Sequence, residues 1–375
     1  MQVEWWVILV LLAVLVLTFL LMRVPREPFV IFTSPSLQRE YARQGIHHDP
    51  ARGRLTRCAP PRPCEHVWYR SPYPQTNNSN SNLLGNNKGV TSRIMQLHNI
   101  RCPRFVCPNK MNMDRAYYDD LLREYNIPFP VVVKPVNGMM GVDVHLNVTT
   151  VDDIVAIARR LQSNDRPVDM RSIIIEEQVR GENYRVLVSN GRVVDVLHRK
   201  LAEVTGDGSR TLRELIDARN ARQRKHRLHP THDVSWNSIA EQLGRTSTRH
   251  LDRTILSPGQ RVVITNMANS HNGCNLYPVA TSSIHPDNIQ MFLAVNRILG
   301  LNLSGIDYIT PDIAVSCHER GHGHVIEVNS RPGFDSHVET QARRSAAASP
   351  ESSVESRFVD ALFDKARHDT RGTTP

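Results

Sequence analysis

Three oxygen-bearing side chains near the C-terminal end, in Gly305-Ile-Asp307 and Glu327-Val-Asn329, have the types and spacing that most clearly imply chemistry. On a strand, positions two apart face the same way, so Glu327 and Asn329 leave one face together while Val328 joins the apolar pattern. A neighbouring strand carrying Asp307 sets a second carboxylate beside them. Hard oxygen donors in this combination suit Mg²⁺, which takes few carboxylates and completes its octahedron with water and phosphate oxygens. Two adjacent carboxylates without a cation repel one another, so a purely structural reading of the pair is weak.

A second constellation is Val131-Val-Val-Lys134-Pro135 followed by Asn137-Gly138-Met-Met-Gly141. A lysine closing an apolar strand reaches into a poorly solvated crevice, and Gly138 and Gly141 let backbone N–H groups approach phosphate oxygens. A third is Ile173-Ile-Ile-Glu176-Glu177-Gln178-Val179, a strand ending in polar residues before a turn at Gly181. Arg185 and Arg199, whose planar forks match phosphate or carboxylate, form the fourth.

The elements that must position these residues are also legible. The alternation of strand and helix signals predicts an α/β fold. Asn190-Gly191 between apolar runs predicts a type I′ hairpin over Tyr184 to His198. Thr150 with Asp152 and Asp153 starts a helix through Leu161, Thr211-Leu-Arg-Glu214 is a capping box, and Gly300 stops a helix over Asp287 to Leu299. Val90, Ile94 and Leu97 recur at helical spacing.

Among the 375 residues the formal charge is +9, which permits a nucleotide, an acidic peptide, nucleic acid or a lipid surface and selects none of them. Arg219, Arg222, Arg224, Lys225 and Arg227 read as a solvated helix face, with recruitment of an acidic peptide or polymer as the competing reading. No nucleic-acid reading module is recognisable, so no nucleic acid is expected. His318, His322 and His324 read as exposed. The cysteines match no common zinc spacing, and all six read as free thiols.

Eighteen residues from Trp5 to Met22, with Thr18 alone polar, predict one membrane-spanning helix within a segment 1–28. Arg23 and Arg26 follow it, which places the rest of the chain on the cytoplasmic side. Residues 29–84 read as a basic, polar juxtamembrane linker or a small N-terminal segment, with Arg52, Arg54, Arg57, Arg62 and Arg70 available to anionic headgroups. The main domain is expected over 85–340. A tail over 341–375 ends in an amphipathic helix around Phe358, Val359, Leu362 and Phe363, expected to pack on that domain.

Taken together, the ordered blocks from about Gly85 to His337 resemble the ATP-grasp superfamily, most closely the ATP-grasp domains of cyanophycin synthetase and of bifunctional glutathione synthetase. The resemblance implies an α+β fold of two subdomains gripping ATP. By position, it implies that Lys134, Gly138 and Gly141 hold phosphates and that Glu176, Glu177, Gln178 and Val179 form the hinge reading adenine. Asp307, Glu327 and Asn329 would bind two Mg²⁺, for which Mn²⁺ is an alternative, and Arg185 and Arg199 would steady the moving γ-phosphate. The segment Asn266 to Asn275 looks like the substrate loop.

Departures from the family pattern are as informative. Asn183 stands where an acid for the ribose is usual, with Glu182 adjacent as a substitute. Asn87-Lys88 replaces Asp-Lys, and Ser92 occupies the place of a second phosphate lysine, with Arg93 beside it. The implied activity is carboxylate–amine ligation through an acyl phosphate, with amino acids or an acidic peptide as substrates. A phosphotransferase of the same fold and a non-catalytic ATP-binding scaffold are the alternatives.

Overall fold

The computed structural model describes residues 34–69, 77, 79–109, 114–161, 172–342 and 353–369. The apolar run at 5–22 lies outside them, as do Arg23, Arg26 and Arg70. Among the described residues no helix is long and apolar enough to cross a membrane.

The chain begins with α1 (Pro35–Arg43) and a small antiparallel sheet of β1 (His47–Asp49), β2 (Arg54–Arg57) and β3 (Glu65–Trp68), then α2 (Ser79–Asn86) and α3 (Lys88–Leu97). A first lobe follows, made of β4 (Phe105–Val106), α4 (Arg115–Glu124), β5 (Val131–Pro135), β6 (His145–Val148), α5 (Val151–Leu161) and β7 (Ile173–Glu177). Its strands lie in the order β4-β7-β5-β6. The second lobe holds β8 (Glu182–Ser189), β9 (Arg192–Lys200), β10 (Glu203–Thr205), α6 (Leu212–Lys225), α7 (Trp236–Gln242), β11 (Arg261–Val263), β12 (Asn275–Val279), α8 (Pro286–Ile298), β13 (Leu303–Thr310) and β14 (His324–Asn329). Helices α9 (Asp335–Ala342) and α10 (Val354–Asp369) close the described chain. The main sheet runs β12-β9-β8-β13-β14, and β10 pairs with β11.

The strand pairs are antiparallel, so the strand–helix alternation builds two α+β layers rather than a parallel sheet. In the first lobe, α5 buries Val151, Ile154, Ala158 and Leu161 against Val131, Val133, Ile173 and Ile175. Each of the Val, Ile and Leu side chains stabilises the lobe by roughly 1.5–3 kcal/mol. In the second, one face of the main sheet buries Val186, Val196, Ile306 and Tyr308 beneath Phe292 and Val295 of α8. The other face is divided. At one end Leu187 and Leu303 are covered by α1 and α10; at the other stand Arg185, Arg199 and Asp307.

The local expectations hold where they rest on turn and cap chemistry. Asn190 and Gly191 both take positive φ between β8 and β9, and the Thr211–Glu214 box is formed. Residues 35–69 are a folded segment, because Leu37, Tyr41, Leu55 and Val67 share one core with Phe334, Phe358 and Phe363. Two expectations need correction. Cys58 and Cys64 form a disulfide, since the β2–β3 connection brings their Cα atoms to 4.2 Å; Cys102, Cys107, Cys274 and Cys317 remain free thiols. Helix α3 is present, but it buries Lys88, Thr91, Ser92 and Met95 and leaves Val90 and Leu97 exposed, so its inward face is polar.

Candidate active site

The two lobes face each other across a cleft of about 600 Å³. On the first-lobe side, Lys134 at the end of β5 pairs with Glu176 on β7, Nζ to Oε2 2.7 Å. Both side chains are buried. Across the cleft, Asp307 on β13 stands directly opposite Arg185 on β8 and Glu327 on β14, so all three leave the same face of the sheet. Gly305, two residues earlier, is opposite Asn329.

Asp307 is clamped by two guanidinium groups: Arg185 Nη1 donates to Oδ1 at 2.6 Å and Arg199 Nη2 lies 3.0 Å from Oδ2. Burial, the largest influence on its carboxyl, favours the neutral form, yet the two arginines outweigh it and hold Asp307 below the usual carboxylate range. Arg199 is pushed up in turn: burial works against its charge, and Asp307 overcomes it. Its Nε donates to Asn183 Oδ1 at 2.7 Å. For Lys134, burial is again the largest influence and lowers the pKa, while Glu176, Glu327 and Asp307 together raise it above the ordinary lysine value.

The absence of a side chain at 305 makes this clamp feasible. A Cβ there would lie 2.7 Å from Nε and Cζ of Arg185 and 2.8 Å from Pro332 Cβ. Gly141 has a similar role on the opposite wall: its φ is +78°, and a Cβ would meet Asn269 Nδ2 at 2.4 Å. The glycine loop and the loop 266–275 therefore touch, and together they roof the cleft.

Each expected site residue lines this one cleft: Lys134, Gly138, Gly141, the hinge Glu176 to Val179, Glu182, Asn183, Arg185, Arg199, Asp307, Glu327 and Asn329. The hinge side chains are fixed from outside, Glu177 by Arg104 at 2.6 Å and Gln178 by Asn147 at 2.7 Å. Glu182 stands at the rim, 2.5 Å from His198 Nε2. Arg93 does not substitute for the absent lysine, because it points to solvent and donates to Gln96, and Ser92 is buried in α3 away from the lining.

Lys88, which is not among the candidate residues, also lines the cleft. Its Nζ lies 3.2 Å from Glu327 Oε1 and donates to the Gly138 carbonyl, which ties β14 to the glycine loop. The sequence held a signal for it: a lysine in the first turn of α3 sits at the positive end of the helix dipole, where cations are unfavourable. His271 also lines the cleft. Burial, then the positive neighbours His229, Arg185, His232 and Arg199, lower its pKa to about 4, so the ring is neutral at pH 7. His318 is exposed as expected, while His322 and His324 are half-buried, and Arg219 of the basic run is buried.

Residues 86–207 match a RimK-like ATP-grasp domain. The chain carries an ATP-grasp domain. Cyanophycin synthetase of Synechocystis is 33% identical over 271 residues, 70% of this chain and 30% of that protein. The bifunctional glutathione biosynthesis protein of Clostridium perfringens is 27% identical over 262 residues, 68% of this chain and 32% of that protein. The chain thus spans about a third of the length of these relatives. A bifunctional glutathione synthetase from Pasteurella multocida superposes with a TM-score of 0.55 at 19% identity, covering 88% of this chain and 44% of that one, which shows a shared fold. In the ATP-grasp domain of this chain, the family match begins two residues before Lys88 and takes in the glycine loop, the hinge and both arginines.

Proposed function

We propose that the ATP-grasp domain acts as an ATP-dependent carboxylate–amine ligase, converting ATP to ADP and phosphate through an acyl phosphate. One observation carries this reading: Lys88, Lys134, Arg185 and Arg199 converge with Glu176, Asp307 and Glu327 in a single cleft between hinge and sheet. The four cations gather at one part of the lining, where they would meet a polyphosphate, while Glu182 and Glu203 also line the cleft. Glu176 to Val179 would receive adenine and Glu182 the ribose. Lys134, Lys88 and the backbone at Gly138 and Gly141 would hold the phosphates.

Asp307, Glu327 and Asn329 fit Mg²⁺ as hard oxygen donors on one sheet face, with Lys88, Arg185 and Arg199 balancing their charge. Bound there, Mg²⁺ would offset charge on the transferring phosphoryl group. Arg185 and Arg199, held by Asp307 and Asn183, are pre-aimed at that group, and fixed donors of this kind need no reorganisation as charge develops. Asn183 thereby acts on Arg199 and leaves the ribose to Glu182. The loop 266–275 would orient the carboxylate and amine substrates, amino acids or an acidic peptide.

The location on a membrane, through one N-terminal helix with the domain on the cytoplasmic side, is part of the proposal and rests on the apolar run from Trp5 to Met22. The test of activity is incubation of the purified chain with ATP, MgCl₂ and pooled amino acids and acidic peptides. A ligase releases phosphate only when a carboxylate and an amine are both present, and its product has the mass of an amide. A phosphorylated product, or phosphate release independent of any acceptor, contradicts the reading.

A further inference from the structure

Beside the main cleft lies a second cavity of about 720 Å³, walled by α6, β10 and β12. Helix α6 is apolar on its inward face at Leu212, Leu215 and Ile216, as a helix covering a core should be. One turn later the same face changes character. Arg219, Arg222, Gln223 and His226 follow at i, i+3, i+4 and i+7, and all of them line the cavity.

Arg219 is only 6% exposed. A guanidinium has five N–H donors, and this one gives Nη1 to Thr231 Oγ1 at 2.9 Å and Nη2 to the Gly273 carbonyl at 2.6 Å and Asn275 Oδ1 at 2.9 Å. No carboxylate is among its acceptors. Among the described residues neither Arg219 nor Arg222 forms a salt bridge, although a buried guanidinium without a counter-charge is costly. The acid that lines the cavity, Glu203, lies 3.8 Å from Arg261 and forms no salt bridge with Arg219. The pKa of Arg219 is lowered, by burial first; Cys274 opposes this, Arg222 adds to it, and Tyr277 and Glu203 oppose it more weakly.

The cavity is coupled to the reaction cleft at two points. Glu203 lines both. Arg219 holds Gly273 and Asn275, at the end of the loop whose residues 266–271 line the main cleft.

We infer that this cavity is an acceptor subsite, in which Arg219 and Arg222 receive a side-chain or terminal carboxylate of an acidic peptide whose reacting end lies in the main cleft. The inference rests on the ligase reading for the role of the bound peptide, and not for the binding itself. It assigns Arg219 two tasks, anion recognition and support of the loop, and Arg222 only the first.

The test is fluorescence anisotropy of a labelled hexa-aspartate peptide with the full chain in non-ionic detergent, without nucleotide. Binding is expected, weakening as salt screens it, with a hexa-asparagine peptide failing to bind. Arg222→Glu, on an exposed position, is expected to weaken hexa-aspartate binding by about tenfold or more while ATP affinity, titrated separately, changes less than twofold. Hexa-aspartate binding that is absent, or equal in parent and Arg222→Glu, overturns the subsite. So does binding of inorganic tripolyphosphate, lost in the variant, without binding of the peptide, because the ligand is then a phosphate. Failure of the parent to bind ATP would sink the ligase reading and leave the peptide readout intact.

Discussion

Lys88 Nζ lies 3.2 Å from Glu327 Oε1, joining the first turn of α3 to β14 across the cleft. The same ammonium donates to the Gly138 carbonyl, so one side chain links β14, the glycine loop and α3. Lys88→Met should therefore weaken ATP binding by about tenfold to a hundredfold, the effect of losing one charge-assisted bond of about 1.5–3 kcal/mol. Nucleotide titration checks this. Unchanged affinity would remove Lys88 from the site.

The two carboxylates proposed to hold Mg²⁺ should respond differently to neutralisation. Asp307 is 7% exposed between two arginines, and Asp307→Asn leaves both guanidiniums facing an amide. Loss of turnover should then come with destabilisation of about 3–5 kcal/mol, as expected when one partner of a buried ion network is removed. Glu327 is more open, and Glu327→Gln should abolish turnover with little change in the denaturation midpoint. Turnover surviving in Glu327→Gln would refute its role as a metal ligand.

Gly305→Ala isolates the clamp on Arg185. The backbone there has no positive φ, so alanine is tolerated conformationally, but its Cβ would sit 2.7 Å from the guanidinium. Displacing Arg185 should lower kcat by at least about tenfold and leave ATP affinity within about threefold, since the arginine acts when the γ-phosphate moves. Steady-state kinetics against nucleotide titration separates the two effects. Equal losses in both would mean that Arg185 binds ground-state ATP.

His271 gives a pH dependence with a definite sign. Its folded pKa is about 4, against about 6.5 in an unfolded chain. Below pH 6.5 the unfolded state takes up a proton that the folded state refuses, so stability falls as pH drops from about 6.5 towards 4. Above that window the group contributes no pH dependence. His271→Gln should lose less stability than the parent between pH 7.5 and 5, measured by denaturant midpoints. A larger loss in the variant would contradict the burial of a neutral ring.

Much of this site was legible because its signals are local. The apolar runs ending at Lys134 and Glu176, the Asn190-Gly191 turn and the two-residue spacing of Glu327 and Asn329 each need only a few neighbouring residues to be read. The misses depend on distant partners. Leu37 in α1 and Leu55 and Val67 in short, polar strands find a core only with Phe358 and Phe363, some 300 positions later. Lys88 and Arg219 face inward on helices where periodicity assigns the interior to apolar residues, so α3 was read by its exposed face and α6 as solvated. Cys58 and Cys64 are brought together by a hairpin that the basic composition concealed.

The central claim is that a substrate carboxylate attacks the γ-phosphate held between Lys134, Arg185 and Arg199, and it can be read in the released phosphate. The chain is incubated with ATP, MgCl₂ and a pool of amino acids and acidic peptides whose carboxylates are labelled with ¹⁸O, and the phosphate is analysed by mass. An acyl phosphate intermediate transfers one labelled oxygen to each phosphate as the amine displaces it. Phosphate carrying one ¹⁸O, formed in step with the amide, is the predicted result; amide formation with wholly unlabelled phosphate would contradict the mechanism.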